Sequence, residues 1–136
     1  MIVFNYEIDY ELADAYRTES WIQRCIQKYG FKEGDINYIF CDDSYLLKLN
    51  VEYLNHDTLT DIISFDYTVG KLLSGDIFIS VERVRENAIK FSQTFDNEIN
   101  RVLIHGILHF MGFTDKTKES KLEMRAEEDA CLALFN

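Results

Sequence analysis

The 136-residue chain sets 14 Lys and Arg against 24 Asp and Glu, a formal charge of −10 with its three His neutral. With 47% hydrophobic and 14% aromatic residues, no Pro and six Gly, it is excluded from the disordered, collagen-like and low-complexity classes. The acidic balance (pI about 4.6) also excludes DNA binding through the molecule's overall field. Contact with nucleic acid would need a local cationic strip or a bound metal. One domain over residues 1–136 with an ordinary core is expected at this size. Cys25, Cys41 and Cys131 are odd in number and lack any C-x-x-C spacing, the pattern of buried free thiols. No basic leader or membrane-length apolar run is visible, so a reducing cytoplasm and no membrane are expected.

In chain order, Ile2–Tyr6 reads as a first strand, rich in β-branched and aromatic residues. A helix follows over about Glu11–Tyr29, with Leu12, Tyr16, Trp21, Ile22 and Ile26 at loose helical spacing and Gly30 as its stop. Ile36–Phe40 is a second strand. Asp43 or Ser44 can cap a helix carrying Leu46, Leu47, Leu49 and Val51, and Asn55-His56-Asp57-Thr58 is a turn cluster. Two strands, 62–67 and 76–80, stand close enough in sequence to pair antiparallel.

Three helices complete the chain. Ser80 caps one that places Val84, Ala88 and Phe91 on one side. Thr94 caps the next, apolar nearly all round from Ile99 to Met111 and therefore expected as a buried central helix. The last runs from about Lys118 to Leu134, with Leu122, Ala126, Ala130, Ala133 and Leu134 as its expected core face. The order βαβαββααα implies an α+β sandwich, a small mixed sheet of about four strands packed on helices.

His105 and His109 interrupt the apolar helix at i and i+4, so both rings leave one face a turn apart. Gly112 breaks the helix and Asp115 follows, giving H-x-x-x-H-x-x-G-x-x-D. Two imidazoles and a carboxylate leave a fourth tetrahedral position for water, the zincin-like arrangement of a catalytic Zn2+. Two core histidines bonded to ordinary acceptors are the alternative, but two on one face followed by Gly and Asp favour the metal. Gly106 stands where H-E-x-x-H metalloproteases carry their general base, which disfavours a peptidase.

The run His105-Gly106-Ile107-Leu108-His109-Phe110-Met111-Gly112-Phe113-Thr114-Asp115 closely resembles the signature of the YbeY family, usually H-G-x-L-H-L-x-G-Y-D-H. Thr60–Phe65 is similar to the family's T-D-V-L-S-F, and Leu73–Ser80 to its L-G-D-I-x-I-S. The resemblance spans about 49–129 and implies a metal-dependent endoribonuclease of single-stranded rRNA. It also implies action in 16S rRNA 3′-end maturation and ribosome quality control, with the ribosome or a small-subunit protein as partner. Asp115 takes the place of the family's usual third His, and Thr114 that of the neighbouring Asp. The family's Arg before the T-D-V-L-S-F strand falls at Leu54, and no Lys or Arg occurs between Val51 and Gly70.

The metal ligands expected are thus His105, His109 and Asp115, with a metal-bound water as catalyst and no side-chain base assigned. Ser64, Phe65, Asp76, His56 and Arg83 are candidates for the substrate cleft, while Asp61 reads equally as a turn or cap residue. Lys71, Arg83, Arg85, Lys90, Arg101, Lys116, Lys118 and Lys121 are available phosphate partners, and Phe65 and Phe113 could stack a base. Two other readings remain: a non-enzymatic ribosome-associated factor with a structural zinc, and a zinc peptidase with its base supplied from elsewhere.

Overall fold

The structure, a computed structural model, describes residues 1–56 and 58–135; Asp57 of the expected turn and Asn136 lie outside them. The elements are β1 (Ile2–Tyr6), α1 (Ala15–Lys28), β2 (Lys32–Cys41), α2 (Asp43–Leu54), β3 (Ile62–Asp66), β4 (Leu72–Ser80), α3 (Val81–Lys90), α4 (Phe95–Phe110) and α5 (Lys118–Leu132). The α+β class and the expected order hold. The sheet runs β1-β2-β4-β3, with β1 and β4 parallel to β2 and β3 antiparallel to β4.

Alternation along the strands divides the core in two. Ile36, Tyr38 and Phe40 of β2 and Leu73, Ile77 and Ile79 of β4 join Trp21, Ile22 and Ile26 of α1 and the apolar body of α4 in the main core. On the opposite face Cys41, Leu46 and Ile63 form a smaller cluster under α2, flanked by Leu49, Phe65 and Phe78. Tyr38 is fully buried and donates its hydroxyl to the Leu103 carbonyl at 2.9 Å, tying β2 to α4. Trp21 Nε1 donates to the Cys131 carbonyl at 2.7 Å and ties α1 to α5. All three cysteines are buried and free.

Several local expectations are corrected. Helix α1 begins at Ala15, capped by Asp14, rather than near Glu11, and Tyr16 lies 85% exposed. Asp42, not Asp43 or Ser44, caps α2 by accepting from the Tyr45 N–H, and Val51 faces solvent. Helix α3 ends at Lys90, which leaves Phe91 beyond the apolar stripe and exposed. The buried face of α5 is Met124, Glu128 and Cys131, whereas Leu122, Ala126 and Ala133 point outward. That stripe follows i, i+4, i+7, and a carboxylate sits inside it because α4 supplies its partners.

Candidate metal centre

Thr94 caps α4 by accepting from the Asn97 N–H at 3.1 Å. At the other end the Phe113 N–H donates to the Leu108 carbonyl at 3.1 Å and the Gly112 N–H to that of His109 at 3.0 Å. This double closure needs a left-handed residue, and Gly112 supplies φ +105°. The reversal brings Asp115 back to the two rings. His105 Nε2 and His109 Nε2 lie 3.0 Å apart, with Asp115 carboxylate oxygens 3.4 Å from the first and 3.7 Å from the second. Four donors placed tetrahedrally about 2.0–2.2 Å from an ion stand roughly 3.3–3.6 Å from one another. Among the described residues, these three form the one His/Cys/Asp/Glu group so disposed.

The donors' surroundings suit the same ion. His105 Nδ1 faces Glu128 Oε2 at 2.6 Å, and Arg101 Nη1 donates to Glu128 Oε1 at 2.8 Å. That contact assigns the Nδ1 proton to the Glu128 side, and Nε2 is the nitrogen turned toward His109 and Asp115. Burial works against a charged His105. The bond and charge of Glu128, helped by Asp115 and Asp61, outweigh it and raise the ring's pKa above 6.5. Burial and the neighbouring His105 pull the His109 pKa below 6.5, which favours the neutral form that a metal needs.

A cavity of about 450 Å³ opens beside the triad. Asp61 and Ser64 line it from the β3 side, Glu98 and Arg101 from α4, and Arg125 and Glu128 from α5. Burial raises the pKa of Asp61 and of Glu98, and each also feels other carboxylates nearby. Gly106 lies beneath, against the sheet. A Cβ there would stand 2.9 Å from Ile77 Cδ1 and 3.3 Å from Ile62 Cδ1, so the missing side chain lets α4 press onto β3 and β4.

Ser64 and the triad share this cavity, and the other cleft candidates lie elsewhere. Phe65 meets Phe78 and Tyr53 under α2, and Asp76 accepts from Asn37 Nδ2 at 3.1 Å on that same face. Adjacent strand residues point to opposite faces, so Ser64 and Phe65 cannot both reach the cavity. His56 is exposed after α2, and Arg83 is paired with Asp43 at 2.9 Å. Phe113 packs edge-on against Tyr29, Lys71 lies over Phe31 and Arg85 beside Phe95. Glu98, Arg125 and Glu128 were missed. The periodicity of α5 held the signal, because Met124, Glu128 and Cys131 place one acid in a buried stripe.

A family model described as Endoribonuclease YbeY matches residues 4–136. The chain belongs to the YbeY family. A protein of Flavobacterium psychrophilum named Endoribonuclease YbeY is 54% identical over 100% of this chain and 97% of its own length. The protein of that name from Flavobacterium johnsoniae is 55% identical over 100% and 98%, and that from Phocaeicola vulgatus 48% over 88% and 86%. Among solved structures, the solution structure of a Thermotoga maritima protein superposes with a TM-score of 0.68 at 26% identity. It covers 99% of this chain and 89% of that one.

Proposed function

We propose that the protein is a metal-dependent endoribonuclease that cuts single-stranded RNA, with zinc held by His105, His109 and Asp115. The convergence of those three donors beside an open cavity carries the reading. A zinc ion there would supply Lewis acidity, activating a water and polarising a phosphate oxygen. The chain's residues provide the setting. Glu128 fixes the plane of His105, Arg101 holds Glu128 in place, and the Gly112 turn delivers Asp115. Thr60, Asp61 and Ser64 offer polar groups along the opposite wall, where a ribose or phosphate would lie.

A three-donor set supports catalysis over a structural zinc, which takes four protein ligands. Both Glu128 oxygens are engaged by His105 and Arg101, so that residue is not free to close the site. The peptidase reading fares worse, since position 106 faces Ile77 and carries no side chain. The substrate proposed is the 3′ region of small-subunit 16S rRNA. The setting is ribosome maturation and quality control in the cytoplasm, with the ribosome or one of its small-subunit proteins as partner. No helix among the described residues is long and apolar enough to cross a membrane.

The test is metal analysis of the purified protein together with cleavage of a labelled single-stranded rRNA fragment. Wild type and Asp115→His should cleave, since either side chain completes the donor set. His109→Ala and Asp115→Ala should fold, lose zinc and lose cleavage. Full cleavage by Asp115→Ala at limiting zinc would remove Asp115 from the site. No cleavage by any of the proteins would favour the ribosome-associated factor.

A further inference from the structure

The cavity is acidic where an RNA would have to enter. Asp61, Glu98, Asp115 and Glu128 set four carboxylates against the guanidiniums of Arg101 and Arg125. Arg101 is already committed, its Nη1 to Glu128 at 2.8 Å and its Nη2 to Asp129 at 2.7 Å, and its side chain is 11% exposed. No Lys or Arg occurs from Val51 to Gly70, a span that includes the loop before β3. Arg83 is held by Asp43, and Lys71, Arg85 and Lys90 lie against aromatic rings. Arg125 differs from all of these. It is exposed, lines the cavity from α5, and has no ion-pair partner among the described residues. Its charge is felt across the cavity by Glu98.

We propose that Arg125 is the phosphate-binding residue of this cleft, engaging an RNA phosphate next to the one that reaches the His105–His109–Asp115 triad. The inference rests on the endoribonuclease reading. An arginine suits the task because its planar fork binds two phosphate oxygens at once. Its anchorage on a helix packed against α4 fixes the distance between that phosphate and the triad. Arg125 is exposed, so its removal opens no buried cavity, and Glu98 keeps Arg101 as a nearby cation.

Binding and cleavage separate this inference from the reading beneath it. Affinity of wild type, Arg125→Ala, Arg125→Lys and the control Lys48→Ala, an exposed cation on α2 away from the cavity, for a fluorescent 2′-O-methyl single-stranded oligonucleotide is measured against salt, with zinc present. For Arg125→Ala we expect affinity to fall about tenfold and the salt slope to shrink by about 0.7, one phosphate's worth for a single strand. Arg125→Lys should keep the slope and lose part of the affinity, and Lys48→Ala should match wild type. On a cleavable RNA, Arg125→Ala should raise KM more than it lowers kcat, with zinc content and melting temperature unchanged. An unchanged slope and affinity in Arg125→Ala would overturn the role of Arg125, whether or not wild type cleaves. Loss of zinc or of thermal stability in that variant would also overturn it, by making the residue structural.

Discussion

On β3, Ile62 and Ser64 face α4 and the cavity, whereas Ile63 and Phe65 face α2. A single residue's step along the strand therefore separates two regions with different contents. The α4 side buries the large core and carries the donors, their supporting carboxylate and the cavity. The α2 side has a small cluster of Cys41, Leu46 and Ile63, with Phe65 and Phe78 edge-on at 5.8 Å between centroids. Its helix leaves Tyr45, Val51, Tyr53 and Leu54 exposed. The α4 face joins its polar site to the larger core, whereas the α2 face rests on the smaller one. Substitutions on one side should change metal and RNA handling, and on the other only stability.

The largest expected effect lies on the α4 side. Glu128→Gln keeps the size of the side chain and an acceptor for His105 Nδ1, yet loses the charge that both the imidazole and Arg101 use. Loss of a supporting carboxylate of this kind costs about 10–100-fold in metal affinity. Competition against a zinc-selective chelator measures that directly. Arg101 retains Asp129, so the variant should still melt cooperatively. Unaltered zinc affinity would show that Glu128 serves only the Arg101 ion pair.

Phe65→Ala tests the other face. The ring is half-buried, so the loss should be about 1–2 kcal/mol in urea unfolding, below the ~3–5 kcal/mol of a fully buried Phe. Zinc affinity and RNA cleavage by the folded fraction should equal those of wild type. A fall in RNA affinity would put Phe65 back at the substrate and break the division between the faces.

This division also explains what the sequence made legible. The i, i+4 pair His105 and His109, the Gly112 stop and Asp115 lie within eleven residues, so one helix period and one turn suffice to bring them together. Ser64, Phe65 and Asp76 came from motif resemblance, and only strand parity, set by which face each strand buries, sorts them. Glu128 and Arg125 reach the cavity through the docking of α5 on α4. That docking depends on tertiary packing, and the alanines of α5 pointed to the wrong stripe. Gly106 was legible as a missing base, but its closeness to Ile77 required the sheet.

The smallest effect concerns how the thin α2 layer is fastened. Asp43, in the first turn of α2, accepts from Ser80 Oγ at 2.7 Å and from Arg83 Nη2 at 2.9 Å, joining α2 to the start of α3. Burial alone would raise the pKa of this carboxyl. The hydrogen bonds from Arg83 and Ser80 and the Arg83 charge outweigh it, and the folded-state value lies below 3.8. A carboxyl depressed by folding stabilises the native state at pH above its unfolded value. That contribution is lost as pH falls through the folded one. The pair is partly exposed, at 27% for Arg83 and 21% for Asp43, so its worth is roughly 0.2–1 kcal/mol. Asp43→Asn should therefore be less stable than wild type by that amount at neutral pH, with the gap closing as acid protonates Asp43 in wild type. Urea unfolding across that range measures the gap, while zinc affinity at neutral pH should stay unchanged, since Asp43 fastens α2 and does not touch the triad. A gap that persisted at low pH would assign the loss to altered helix packing rather than to the charge.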